Sequence, residues 1–176
     1  MKYIALLRGI NVGGNKKIKM GDLRDLLTAN GFKNVKTYIQ SGNVAFENTT
    51  ETVADLGDKM MNLIQEKYGF EVKVILKTAI EIKKITNDIP DFVLQDLPLN
   101  FVFAILLDSI PQKEKVEVFL VQDFSPDKIA IQNDVVYLAC PNGISNSKFG
   151  TNIIEKQLKV SSTARNFKTM QKLITM

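Results

Sequence analysis

Apolar residues along this chain recur at two spacings, and the switches between them mark out strands and helices. Tyr3 to Leu7 is an apolar run that predicts a strand. Met20, Leu23 and Leu27 recur at helical spacing and predict a helix over Met20–Asn30, with Gly31 as its C-cap. Val35–Gln40 and Val44–Glu47 alternate as strands do, and "SGN" between them predicts a tight turn. Val53, Leu56, Met60, Leu63 and Ile64 fall on one face of a helix that Thr50 can cap and Gly69 can end. Val72–Leu76 predicts the next strand, which makes the order β-α-β-β-α-β.

The second half echoes that order without obvious residue identity. "TAIEIKKITNDIP" predicts a short helix in which Thr78 and Glu81 have the spacing of a capping box, with Pro90 beyond its end. "FVFAILL" predicts a buried strand, and "IPQKEKVEVFL" a helix with Pro111 near its start. "KIAIQ" and "VVYLA" predict a hairpin across Asn133–Asp134. "KFGTNIIEKQL" and "TARNFKTMQKLI" read as helices, the second carrying Phe167, Met170, Leu173 and Ile174 on one face. The predicted fold class is α+β, built as two ferredoxin-like (βαββαβ-type) halves. Residues 1–77 form the first half, 78–97 a connecting helix and linker, and 98–176 the second half. That second half is expected to lack its last strand and to be closed by C-terminal helices.

Composition narrows the chemistry. The 176 residues suit one compact domain or two small ones sharing a core, and hydrophobic residues at 45% are ordinary for a globular chain. The run Phe101–Leu107 is far too short to cross a bilayer, and no membrane partner is expected. The N-terminal residues do not read as a secretory signal, and Cys140 is the single cysteine, so a cytoplasmic location is expected. Histidine is absent. This excludes the usual N/S zinc sites and both Ser-His-Asp and Cys-His catalysis, and no metal site is expected.

Charge is segregated along the chain. Residues 1–40 hold eight basic and two acidic residues, residues 41–147 nine and sixteen, and residues 148–176 six and one. Basic ends around an acidic middle suggest an anionic partner. There are three arginines. Arg24 has Asp22 and Asp25 as close neighbours, whereas Arg8 and Arg165 sit at the edges of elements in the two basic segments.

Three stretches are distinctive together: "ALLRGINVGG", "TYIQSGN" and "STARNFKT". At these positions, from Tyr3 to Leu173, the chain resembles the uncharacterised bacterial family called domain of unknown function 1697. Members of that family often carry tryptophan where this chain has Phe167, and threonine where it has Ala164. The resemblance implies a cytoplasmic α+β protein with no known cofactor, and it implies no reaction.

The residues themselves supply the candidates. Gly9 and Gly14 bracket four residues, but Asn15 follows where a P-loop needs lysine and no hydroxyl comes after it. A looser phosphate cradle remains, in which Arg8, Asn11, Gly13, Gly14 and Lys16 offer a guanidinium fork, backbone N–H groups and charge. The plainer alternative is a strand-to-helix connection with solvated lysines. Arg165 and Asn166 join the candidate anion site from "SSTARNFKT"; the plainer alternative there is that one of Ser161, Ser162 and Thr163 N-caps the last helix. Ser41 and Asn43 form a second candidate polar site, or simply a turn. The β2–β3 turn and the β1–α1 loop are expected at opposite ends of the sheet. Asp22, Asp25 and Glu47 read as surface residues, so no catalytic carboxylate pair stands out.

The leading expectation is a protein that binds a phosphate-bearing partner, either a nucleotide or other small molecule, or single-stranded nucleic acid, with Tyr38 and Phe46 able to stack bases or to fill the core. Two alternatives stay open. One is a small metal-independent enzyme on a phosphorylated or carboxylated metabolite. The other is a protein-interaction module using an open sheet edge.

Overall fold

The computed structural model describes residues 1–94 and 97–176. These residues form two units, Met1–Ile82 with Leu173–Met176, and Lys83–Lys172. The fold is α+β, with two four-stranded antiparallel sheets and, among the described residues, seven α-helices.

The first unit runs β1 (Lys2–Leu7), α1 (Met20–Ala29), β2 (Lys33–Tyr38), β3 (Asn43–Glu47), α2 (Val53–Tyr68), β4 (Val74–Thr78). Its strand order is β2-β3-β1-β4. Successive strand residues face opposite sides, so Tyr3, Ala5 and Leu7 share a face and pack with Val44 and Phe46 against Leu23 and Leu27 of α1 and Leu56, Met60 and Ile64 of α2. Each buried Leu, Ile, Val, Met or Phe side chain among them contributes roughly 1.5–3 kcal/mol on burial. The helix α2 starts later than the Thr50 cap predicts. Asn48 Oδ1 accepts from the N–H groups of Thr50 and Glu51, which forms a turn first, and Thr52 caps by accepting from the Asp55 N–H at 3.2 Å. Gly69 ends the helix in the left-handed conformation.

α3 (Ala79–Asn87) follows β4 without a linker. Its predicted capping box is present: Glu81 Oε2 accepts from the Thr78 N–H at 2.7 Å, and Thr78 Oγ1 accepts from the Glu81 N–H at 3.2 Å. α4 (Asp91–Leu94) comes next, and then β5 (Val102–Leu107), α5 (Lys113–Leu120), β6 (Lys128–Gln132), β7 (Val135–Ala139), α6 (Thr151–Leu158), β8 (Ser162–Asn166) and α7 (Phe167–Thr175). The hairpin across Asn133–Asp134 is present, with Gln132 paired to Val135. The second core collects Ile105, Leu107, Phe119, Val136, Leu138, Ile154 and Leu158.

One expectation is overturned. The second half does not lack its last strand, because Ser162–Asn166 is β8 and pairs antiparallel with β5 from Phe103↔Asn166 to Leu107↔Ser162. The strand order is therefore β6-β7-β5-β8. A ladder is made by backbone groups, so five residues with no large apolar side chain can still satisfy the free edge of β5. For the same reason Ser161–Thr163 do not cap the last helix. Asn166 does, accepting from the Thr169 N–H at 2.8 Å.

The two sheets are tied alike at one end. In the first, the Leu7 N–H donates to the Gly42 carbonyl at 2.8 Å and the Arg8 N–H to the Lys73 carbonyl at 2.9 Å. In the second, the Leu107 N–H donates to the Asp134 carbonyl at 2.9 Å and the Asp108 N–H to the Ser161 carbonyl at 3.0 Å. Arg8 and Asp108 are thus counterparts. No helix among the described residues is long and apolar enough to cross a membrane.

Candidate functional site

Beyond β1 the chain turns sharply at Gly9, whose φ of +66° suits a residue without a Cβ. The loop that follows is tightly ordered. Asn11, Gly13, Gly14 and Lys16 all have positive φ, and the Asn11 N–H donates to the Lys16 carbonyl at 3.2 Å. The Asn11 side chain accepts from the Ile18 N–H at 2.8 Å and donates to the carbonyls of Ile18 at 2.9 Å and Gln40 at 2.8 Å. Both amide protons are thereby committed to holding the loop.

The last of these bonds corrects an expectation. The β2–β3 turn and the β1–α1 loop lie at the same end of the sheet. The antiparallel register Leu6↔Asn43 sets the start of β3 beside the end of β1. Gly42 packs directly under the loop: a Cβ there would lie 2.7 Å from Leu7 Cβ and 2.9 Å from Ile10 Cδ1. Asn43 is buried, and its amide donates to the Tyr38 carbonyl and to Ser41 Oγ, each at 3.0 Å. Ser41 and Asn43 therefore knit the turn together.

The connection from α2 to β4 reaches this end too, because β4 runs antiparallel to β1. It closes a cleft of about 570 Å³. Arg8 and Lys16 from the β1–α1 loop and Lys73 from the α2–β4 connection bring three cations to it, with Glu71 the single carboxylate of the lining among the described residues. Lys16 Nζ donates to the Glu71 carbonyl at 2.7 Å, which bridges the loop to the α2–β4 connection. The other wall is α2, through Met61, Asn62 and Gln65. Asn62 and Gln65 are three apart and so share a helix face. Guanidinium and ammonium groups around one concavity stabilise an oxyanion by charge-assisted hydrogen bonds.

Arg8 and Lys16 thus come together, while Gly13 and Gly14 sit exposed in the loop away from the cleft lining. Arg165 and Asn166 belong to the second unit. Arg165 is buried, with Nη1 donating to Thr163 Oγ1 and the Ala164 carbonyl, both at 2.8 Å, and burial pushes its guanidinium down to about 10. The counterpart of Arg8 in this unit, Asp108, accepts from the Ser161 N–H at 2.9 Å through Oδ1. Burial, then the Asp127 charge, pushes the Cys140 thiol up to about 12, so it is protonated and inert as a nucleophile at neutral pH. Among the described residues no group of three His, Cys, Asp or Glu is placed to hold a metal ion.

Sequence reasoning missed Lys73, Glu71 and the α2 wall. The signal was available: in a β-α-β-β-α-β order with β4 antiparallel to β1, the residues just before "VILKT" must meet those just after "YIALL".

A family model described as "Protein of unknown function (DUF1697)" matches residues 1–137. The chain belongs to this family. The matched span of this DUF1697 chain includes the whole cleft and the first two distinctive stretches, while "STARNFKT" lies past it. No curated protein matches the chain. A solved structure, that of conserved bacterial protein SP0830 from Streptococcus pneumoniae, is similar with a TM-score of 0.73 and 22% identity, covering 99% of this DUF1697 chain and 97% of that one. At that identity the likeness shows a shared fold.

Proposed function

We propose that this DUF1697 protein is a cytoplasmic binder of a phosphate-bearing small molecule, held in the cleft of its first unit by Arg8, Lys16 and Lys73. One observation carries the reading. Three cations from the β1–α1 loop and the α2–β4 connection line one cleft, whereas the counterpart of Arg8 in the second unit is an aspartate that accepts a backbone N–H. A small ligand is favoured over a nucleic acid strand because Phe46 is buried in the core, stacked on Tyr3 with ring centroids 5.6 Å apart, and is taken up there. We also read each unit as a ferredoxin-like half. The βαββαβ order, the equal strand orders and the matching ties at Leu7 and Leu107 support that reading.

Thermal melting with phosphate or sulfate against chloride tests the binding. A ligand that binds only the folded chain raises the melting temperature, so phosphate is expected to stabilise the wild type. Arg8→Lys keeps the charge but loses the planar fork, and should show a smaller shift. An anion-insensitive wild type together with a destabilised Arg8→Lys would make Arg8 a structural strut and end the reading.

A further inference from the structure

Two aliphatic side chains stand out at one end of the first sheet. Val12, in the β1–α1 loop, is 65% exposed, and Ile39, in the β2–β3 turn, is 51% exposed. Ile39 also has φ +47°, a conformation in which a β-branched residue is strained. Strain of that kind persists only where the surroundings impose it, and it clusters at functional sites. The Asn11 side chain gathers both residues with two lysines. Val12 follows Asn11 directly, and the Asn11 amide donates to the carbonyls of Gln40, next to Ile39, and of Ile18, between the exposed Lys17 and Lys19. The stretch from Gly9 to Lys19 carries Lys16, Lys17 and Lys19 and no acidic residue, and the turn from Tyr38 to Asn43 carries no charge. Past Val12 the tip stands in open space, since a Cβ at Gly13 or Gly14 would meet nothing within 4 Å.

We propose that these two turns dock the protein on an anionic lipid surface, with Val12 and Ile39 entering the acyl boundary and Lys17 and Lys19 held at the phosphate headgroups. Exposed apolar side chains beside lysines are the combination that such a surface binds. A fluid bilayer admits aliphatic tips without a matched socket, whereas a protein hot spot is built on tryptophan, tyrosine or arginine in a packed pocket. Docking of this kind needs no spanning segment, so the shortness of the apolar run Phe101–Leu107 does not count against it. It is independent of phosphate binding in the cleft.

Co-sedimentation of the full chain with vesicles tests the docking, using phosphatidylcholine alone or mixed equally with phosphatidylserine. The wild type should bind the mixed vesicles roughly tenfold more tightly than the neutral ones, and lose that preference at high salt. Lys17→Gln/Lys19→Gln should weaken binding to the mixed vesicles by about thirtyfold, the change expected for two lysines near the surface. Val12→Thr/Ile39→Asn removes the apolar groups while keeping the shape at 12 and suiting the positive φ at 39. It should weaken binding by roughly tenfold with no loss of melting temperature. Absence of binding to the mixed vesicles overturns the docking, and phosphate affinity in solution then still decides the cleft. Binding that falls in the lysine variant but not in the apolar one overturns the insertion of Val12 and Ile39. Concentration-dependent dimerisation that the apolar variant abolishes, without vesicle binding, assigns the two turns to a second copy of the chain and also overturns it.

Discussion

Asn11 holds Ile18 from both sides, its Oδ1 accepting the Ile18 N–H at 2.8 Å and its Nδ2 donating to the Ile18 carbonyl at 2.9 Å. The side chain imitates one rung of an antiparallel ladder, and its second amide proton extends the tie to the Gln40 carbonyl. A loop rich in glycine is in this way given one conformation, and with it Arg8 and Lys16 keep fixed positions at the cleft.

Asn11→Ala removes three hydrogen bonds and leaves a residue with a Cβ at φ +56° without the local bonding that tolerates it. A loss of roughly 2–4 kcal/mol is expected. Urea denaturation measures it, and Asn11→Asp, which keeps the acceptor alone, should fall between. A change under about 0.5 kcal/mol, the scatter of ordinary surface substitutions, would show that the loop does not depend on this residue.

Gly42 and Gly14 have nearly the same φ, +78° and +79°, but different surroundings. A Cβ at Gly14 meets nothing within 4 Å, whereas at Gly42 it runs into Leu7 and Ile10. Gly14→Ala should cost about 1–2 kcal/mol, the left-handed penalty alone. Gly42→Ala adds overpacking and should cost roughly 2–4 kcal/mol. Equal losses in parallel denaturation curves would mean that the turn and loop separate easily.

Lys73 and Asp108 test where binding resides. Lys73→Ala removes one exposed cation of the cleft and should weaken phosphate binding by roughly tenfold, with a shallower dependence on salt. Asp108→Asn keeps the acceptor for the Ser161 N–H while removing the charge in the second unit, and should leave phosphate affinity unchanged. Calorimetry at two ionic strengths reads both, and an Asp108 effect equal to that of Lys73 would contradict a site confined to the first unit.

Alkaline pH should destabilise the protein through two buried groups. The Cys140 thiol is raised from 9.0 to about 12, and the Tyr137 hydroxyl from 10.0 to about 12, each chiefly by burial. A raised pKa means the unfolded chain loses its proton first, so the stabilising difference is complete below the unfolded value and is lost as pH climbs toward the folded one. Stability should therefore fall between about pH 9 and 12. Arg165 acts with the opposite sign, because its lowered pKa lets the folded state shed a proton first, from about pH 10 upward. Cys140→Ala should flatten the decline that begins near pH 9. Denaturation midpoints across that range check it, and an unchanged slope in the variant would assign the loss to other groups.

Much of the fold was legible because its signals are local. The capping box at Thr78 and Glu81, the stop at Gly69 and the turn at Asn133–Asp134 each involve residues within four positions of one another. Their geometry is decided by backbone sterics and short hydrogen bonds before any distant contact forms. Periodicity did the same for α1 and α2, whose apolar stripes could point only inward. β8 was illegible for the opposite reason: "STARN" carries no apolar alternation, and it is a strand because β5 offers an unpaired edge far away in sequence.

The candidate site divides along the same line. The amino-acid sequence by itself determined that Arg8 stands at a glycine turn in a basic stretch, since composition and backbone preference are properties of neighbours. Only the tertiary structure decided which groups share the cleft with it. Lys73 and Glu71 arrive through the antiparallel pairing of β1 with β4, and Asn62 and Gln65 through the packing of α2 on the sheet. It also committed Asn11 to its own loop and buried Arg165 in β8. A side chain's role depends on which partners surround it, and strand register and helix packing choose those partners from parts of the chain that no local pattern connects.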